Sequence, residues 1–389
     1  VPAGKPVARA LRPCRTGAVD TTAAAGRAGR TGRAGAAVVA EVVATSTRSA
    51  GFQEWMHRWF DAWYEVDAAA WSHEREDPAL ESPDEVRAEL AADDGLSASH
   101  LLLALGPDGG PRGAARIDLQ LPDNTHVADV GVAVAPQHRR RGVGRLLLER
   151  ACAVARAEGR TRLRGGVERP VDAATWPGSA ACDRWGLPLG QTEARHRLEL
   201  PVPPQRLVEL ETAALPHAAG YRVRTWAGPC ADADVDALAA LTARMSTDAP
   251  TGDLHVEPET WDAARLRAAE ARAAAQGRRS WTALAEDAAG RAVGFTQLVQ
   301  SRHEPHRLQQ WDTLVLREHR GHRLGTLLKI AALRAATADA PAARHVTTWN
   351  AAENRPMIAV NEAMGYRLDE LVEAREAPLE DVETALRAR

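Results

Sequence analysis

Lysine is nearly absent from this chain: its 389 residues include only Lys5 and Lys329, and the remaining positive charge is arginine. With abundant alanine, this reflects a GC-rich coding bias and says nothing about function. The formal net charge of −3 gives no bulk attraction to nucleic acid, so no such partner is expected. The four cysteines (Cys14, Cys152, Cys182, Cys230) are scattered, with no Cys-x-x-Cys pair. That argues against a structural zinc or a disulfide framework and fits a reducing cytosol; no metal is expected. No apolar stretch approaches the roughly 18 residues that cross a bilayer. The nearest, Gly35–Ala44, is interrupted by Glu41. A cytoplasmic protein without a membrane partner is the expectation. Two nucleotide signatures are missing as well: there is no G-x-x-x-x-G-K-[ST], and no G-x-G-x-x-G followed by an acidic residue about 20 positions later.

What is present begins with length, which suits two or three domains, each with its own core. Residues 1–50 are rich in Ala, Gly, Arg and Thr and poor in large apolar side chains, so they read as a disordered extension. Order is expected from Phe52, where Trp55, Met56, Trp59, Phe60 and Trp63 recur at helical spacing. Ser82-Pro83 reads as a capped helix start. A hairpin follows over Leu101–Leu121, then a strand near His126–Val134, a basic glycine turn, and a helix stopped by Gly159.

The second half repeats this plan. The hairpin glycines Gly113 and Gly294 lie 181 positions apart, as do Arg139 and Arg320 of the basic turns. Two markers at one offset indicate a duplicated domain, with boundaries expected at 51–202 and 219–389 and a Pro-rich link over 203–218.

The organising motif is the strand–turn–helix Val132-Ala-Val134-Ala-Pro-Gln-His-Arg139-Arg140-Arg141-Gly142-Val143-Gly144. Helix starts carry free N–H groups and partial positive charge, and glycine lets an anion approach the backbone, so a phosphate is the natural ligand. The second copy runs from Trp311 through Val315 to Arg320-Gly321-His322-Arg323-Leu324-Gly325, with Arg323 where the first copy has Gly142. If that site needs a positive φ, arginine is unfavourable there.

Arg-x-x-Gly-x-Gly after a central strand resembles the signature of the GCN5-related N-acetyltransferase (GNAT) superfamily. The resemblance covers residues from about 52 to the end. It implies an α+β chain of two tandem GNAT domains, each a mixed, mostly antiparallel twisted sheet flanked by helices. It also implies that the turn amides hold the pyrophosphate of acetyl-CoA while the strand backbone, at Val134 and Val315, pairs with the pantetheine arm. The segment Thr347–Arg367 resembles the family's closing segment, a strand ending in Asn350, a short helix and a Gly-Tyr turn, in which Asn354 caps the helix or contacts the cofactor arm.

Many family members place an acidic tyrosine four residues before that Gly-aromatic turn; here the positions are Asn361 and Cys182, and neither is a good acid. Asp312 and Asp129, on or just before the cofactor strands, are the candidate bases, with His303 and His306 behind them; a salt-bridged strand carboxylate is the plain alternative. Met245–Asp262 has five acids and no Lys or Arg before Ala263. Asp248, Asp253 and Trp261 there suit a cationic amine by charge and cation–π contact, or simply cap the next helix. The expected function is acetyl transfer from acetyl-CoA to a small-molecule amine by a monomer or homodimer, with the second domain doing the chemistry. A protein or peptide amine acceptor, or a non-catalytic acyl-CoA sensor, are the alternatives.

Overall fold

A computed structural model describes residues 38–388. In chain order the elements are β1 (Glu41–Ser46), α1 (Phe52–Ser72), α2 (Pro83–Ala91), β2 (Ser97–Leu105), β3 (Pro111–Gln120), β4 (Val127–Val134), α3 (Val143–Ala157), β5 (Arg162–Pro170), α4 (Pro177–Arg184), β6 (Leu189–Glu199), α5 (Pro204–Ala214), β7 (Arg222–Ala227), α6 (Val235–Asp248), α7 (Ala263–Ala275), β8 (Arg278–Glu286), β9 (Ala292–Ser301), β10 (Arg307–Val315), α8 (Leu324–Asp339), β11 (His345–Ala351), α9 (Arg355–Met364), β12 (Arg367–Pro378) and α10 (Leu379–Arg387). No helix among the described residues is long and apolar enough to cross a membrane.

The described residues form two compact units: an N-terminal one of 38–165, 181–188 and 376–388, and a C-terminal one of 166–180 and 189–375. In the N-terminal unit the strand order is β1-β2-β3-β4-β5, antiparallel except for β4 with β5. The aromatic stripe of α1 packs on this sheet with Val86, Leu90, Leu101 and Leu103. Phe60 and Trp63 are fully buried; burying a side chain of this size contributes about 2–3 kcal/mol. Ser82 caps α2 in a reciprocal capping box with Glu85. Order starts earlier than the composition suggests. β1 pairs with β2 from Glu41↔Leu105 to Ser46↔His100, supplying an edge strand from within the stretch expected to be disordered. Residues 1–37 lie outside the described residues.

The C-terminal unit has the order β12-β6-β11-β10-β9-β8-β7, with only β10 and β11 parallel. One face is covered by α8, whose Leu328 and Leu333 pack with Trp281, Leu298, Leu308 and Val346. The other is covered by α6 and α7 around Leu238, Leu284, Phe295 and Leu314.

The units are not two contiguous blocks of sequence. β6 lies within the stretch expected as the first domain yet pairs with β11 and β12, while residues from Glu376 onward join the N-terminal unit through Glu376 with Arg162 and Arg164. The stretch expected as a spacer is the helix α5, whose Leu207 and Ala214 belong to the core under α8. Strand pairing and helix burial, both non-local, set these divisions.

Candidate active site

Both basic turns adopt the same backbone. Arg140 (φ 61°) and Gly142 (φ 86°) are left-handed in the first, Gly321 (φ 87°) and Arg323 (φ 55°) in the second. At each pair of positions one copy has glycine and the other arginine. Such φ values are uncommon outside glycine, and strained residues of this kind gather at ligand sites. Gly142 and Arg323 are the N-caps of α3 and α8, and neither provides a side-chain cap, so the first helical N–H groups remain for another acceptor. A Cβ added at Gly142, Gly321 or Gly325 would touch nothing within 4 Å, which leaves each turn open to a ligand.

The first arginine of each turn is a brace. Arg139 Nε donates to Val134 O (3.3 Å) and its Nη2 to Ala70 O (3.4 Å) at the end of α1. Arg320 Nε donates to Val315 O (3.1 Å) and its Nη2 to Asp248 Oδ2 (2.9 Å) at the end of α6. Arg140, Arg141 and Arg323 are exposed and have no side-chain partner among the described residues. His322 Nδ1 lies 2.9 Å from His217 O. Val143 and Leu324 are buried helix-start residues whose side chains point into the core.

Behind each turn, parallel strands part. The β4–β5 ladder ends at Asp129↔Arg164, while β4 runs on to Val134. The β10–β11 ladder ends at Gln310↔Thr348, while β10 runs on to Val315. Each unit therefore has an open strand edge leading to a helix start without a side-chain cap, a shape that suits an extended arm carrying a phosphate.

The units differ at the point of parting. In the C-terminal unit the β9–β10 register slips between Gln310↔Leu298 and Thr313↔Thr296, so Trp311 and Asp312 together oppose Gln297. This β-bulge re-aims the backbone where the strands separate. It is pinned by Thr296 Oγ1, which donates to Asp312 O (2.9 Å) and contacts Thr313 Oγ1 (2.6 Å), and by Gln310 Nε2, which donates to Thr296 Oγ1 and Gln297 O (2.8 Å each). Leu314, two residues on, packs under α6, so alternation puts the buried Asp312 carboxylate on that face.

In the N-terminal unit the β3–β4 register is continuous from Gly113↔Val134 to Leu119↔Ala128. Asp129 is not the counterpart of Asp312; it faces Asp118 across the strands and Arg164 along the ladder. Asp118 accepts from Ser99 Oγ (2.5 Å) and Arg116 Nε (2.8 Å), and Arg116 also serves Glu89 (3.0 Å). Burial, with the negative charge of Glu89 nearby, pushes Asp118 up to about 7 against the opposing charge of Arg116. Burial also raises Asp129 to about 6, against the opposing charge of Arg164.

The Acetyltransferase (GNAT) family model matches the chain twice, over residues 54–175 and 245–366. The chain belongs to the GNAT acetyltransferase family. Among solved structures it is similar to a tandem GNAT protein from the clavulanic acid biosynthesis pathway, at 27% identity and TM-score 0.67, over 87% of this chain and 99% of that one. A GCN5-related N-acetyltransferase from Sphaerobacter thermophilus shares the fold at 15% identity and TM-score 0.56, covering 87% and 96%. A fungal glucosamine N-acetyltransferase region within a multi-domain β-N-acetylglucosaminidase does so at 13% identity and TM-score 0.58, covering 87% and 38%. A comparison with curated protein sequences finds no match.

Within this GNAT chain the closing segment is packed more tightly than its sequence suggests. Asn354 caps α9 by accepting from Met357 N (3.4 Å). Asn361 is fully buried; its Nδ2 donates to Asn350 Oδ1 (2.7 Å), and its Oδ1 has no hydrogen-bond partner among the described residues. Tyr366 is buried, which raises its phenol further above the usual range.

The acidic stretch that begins in the last turn of α6 is less available than its composition implies. Asp248 is engaged by both Arg244 and Arg320. Trp261 donates to Glu259 (2.9 Å), and Arg265 lies 4.5 Å over its ring, already filling a cation–π position. Asp262 caps α7 through Arg265 N, and Asp253 stays exposed in the loop. Among the described residues no group of three or more His, Cys, Asp or Glu is placed to hold a metal. The residues missed by motif reading are Asp118, His196, Gln310 and the buried Lys329; an isolated lysine in an apolar helix was the one available signal.

Proposed function

We propose that the C-terminal unit transfers an acetyl group from acetyl-CoA to the primary amine of a small molecule. The observation carrying this reading is the bulge at Trp311–Asp312, located where β10 leaves β11 and pinned by a buried polar network. Acetyl-CoA supplies an activated acyl carbon and a thiol leaving group. The α8 turn with Arg323 and His322 receives the pyrophosphate, the Thr313–Val315 edge orients the arm, and Asp312 takes the proton from the attacking amine. A small acceptor is supported by the 27% identical tandem protein, whose name ties it to a small-molecule biosynthesis pathway.

The N-terminal unit we read as binding acyl-CoA without transferring it. Its turn is formed, but its cofactor strand keeps a continuous register, and buried ion pairs fill the face under α1 and α2.

Thiol release against a panel of amines, with Gly325→Asp and Gly142→Asp prepared separately, tests the assignment. A carboxylate beside the α8 turn should repel the pyrophosphate and abolish release, whereas Gly142→Asp should leave turnover in place. The reverse pattern, or acetyl-CoA binding with no release from any amine, overturns it.

A further inference from the structure

We propose that Lys329 is the proton donor to the departing sulfur in the C-terminal unit, an inference that rests on reading that unit as the transferase. Arg320 and Arg139, like Gly325 and Gly144, are 181 positions apart, and the same offset pairs Lys329 with Leu148. Leu148 is an ordinary core side chain, 2% exposed. Lys329 occupies the equivalent place at 1% exposure on a helix otherwise buried through Leu324, Leu327, Leu328, Ile330 and Leu333. Packing asks for leucine here. A buried ammonium without a counter-ion is strongly disfavoured, so its presence calls for a chemical reason.

Its position supplies one. α8 is the crossover between the parallel strands β10 and β11, so it runs antiparallel to them. Leu324 belongs to the core that Val315 packs against, and five residues beyond it, at about 1.5 Å each, carry Lys329 some 7.5 Å back along β10. About two strand residues cover the same distance from Val315, which reaches Thr313 and the bulge. The ladders place Gln310, Thr348 and His196 in one row across β10, β11 and β6. The row two residues earlier, Leu308, Val346 and Leu198, belongs to the core under α8, so this polar row faces α8 as well. Lys329 Nζ lies 5.6 Å from the Tyr366 ring centroid, and its charge acts on His196.

The groups around the ammonium are few. His196 comes from β6, its own proton affinity lowered by burial. Tyr366 follows α9, and Glu362 of α9 acts on His196 from an exposed position. Asp369 of β12 is held by Arg195 at 2.8 Å, and Arg206 of α5 lies against Gly365. Among the described residues no carboxylate pairs with Lys329, and burial alone pushes its ammonium down to about 7. A group balanced near neutrality both gives and regains a proton readily. It also answers the absence of an acidic side chain at Asn361.

The proton account closes. The acceptor nitrogen bonds to the acyl carbon and the carbon–sulfur bond breaks, with its electron pair leaving on sulfur. The Lys329 ammonium gives its proton to that sulfur, and Asp312 receives the proton lost by nitrogen. Solvent then returns a proton from Asp312 to the lysine amine, leaving amide and thiol as products.

Because the full chain contains two lysines, lysine labelled with ¹³C at Cε gives two signals. One should titrate near pH 7 in the ligand-free protein and move when CoA is added. Lys329→Leu, the residue its twin carries, should fold and bind CoA. It should transfer about 100-fold more slowly and lose the pH-rate limb near 7, with partial rescue by a thioester whose thiol is more acidic. A lysine signal that titrates at the ordinary value or ignores CoA, or a Lys329→Leu variant with an unchanged rate and pH profile, overturns the proposal. If no amine is acetylated, the transferase reading alone fails, and the lysine signal decides this one.

Discussion

Arg323 holds the left-handed backbone conformation that Gly142 holds in the first turn, and Arg140 likewise matches Gly321. The duplicated turn has conserved its shape by exchanging which of two strained positions carries the glycine. Arginine at Arg323 does not prevent the turn from forming; it places an exposed guanidinium at the start of α8.

The strain at that residue has a measurable size. A non-glycine residue in this region loses roughly 1 kcal/mol relative to glycine, partly offset by glycine's larger entropy loss on folding. Arg323→Gly is therefore expected to raise the Tm by about 1–2 °C in thermal unfolding, while acetyl-CoA binding weakens as one phosphate contact is lost. A lower Tm would mean that the side chain contributes more than its backbone strain removes.

The bulge gives a sharper expectation. Thr296 Oγ1 ties together Asp312 O, Thr313 Oγ1 and Gln310 Nε2. Thr296→Val keeps the shape and removes the hydroxyl, leaving buried polar groups unsatisfied at about 1–3 kcal/mol. We expect kcat to fall at least about tenfold, with acetyl-CoA affinity within about twofold of the parent, because the turn is untouched. Calorimetric CoA binding beside steady-state kinetics separates the two effects. Equal loss of binding and turnover would show that the bulge serves binding instead.

The N-terminal unit carries a pH dependence of definite sign. Asp118 is raised from 3.8 to about 7, so between those values the folded chain binds more protons than the unfolded one. Its contribution therefore stabilises at low pH and is lost as pH rises through about 7. Asp118→Asn keeps the bonds from Ser99 and Arg116 in outline and leaves Arg116 paired with Glu89 alone. Thermal unfolding from pH 4 to pH 7 should then show a flatter decline than the parent. An unchanged slope would place the shared proton elsewhere in the network, with Asp129 the next residue to substitute.

The parts legible in the sequence were those fixed by local spacing. The Ser82 cap, the hairpins and each basic turn before its helix follow from residues close together in the chain, and the 181-residue repeat follows from comparing those local patterns; the left-handed backbone at Arg140 and Arg323 did not. The bulge was not legible, because it is a relation between Thr313 and Thr296 and exists only in the pairing. The same holds for β6, whose partners β11 and β12 come from about 150 residues or more further along the chain, and for Asp129, whose neighbours Asp118 and Arg164 arrive on separate strands. Lys329 stood out only as one of two lysines; its burial without a counter-ion depends on what α9, β6 and β12 bring to it. The Met245–Asp262 stretch misled for a related reason. Its acids were counted together, while the arginines that engage them, Arg244, Arg265 and Arg320, come from its flanks and from the turn.

That last point yields a test of acceptor selectivity. Arg265 stacks on Trp261 at 4.5 Å and reaches toward Glu259 at 3.8 Å, so the protein's own cation occupies the face an amine would use. Arg265→Ala uncovers the ring and the Glu259 carboxylate while leaving Asp262 to cap α7 through the backbone. A cation–π contact at a partly exposed site is worth about 0.5–1 kcal/mol, which corresponds to a two- to fivefold change in affinity. If this surface borders the acceptor site, KM for cationic amines should fall by about that factor, with neutral acceptors and acetyl-CoA unaffected. KM values unchanged across a charged and uncharged amine panel would remove Trp261 from the acceptor site and leave Asp253 and Asp312 as its acidic groups. A uniform loss of activity would instead mark Arg265 as a structural clamp on the α7 start.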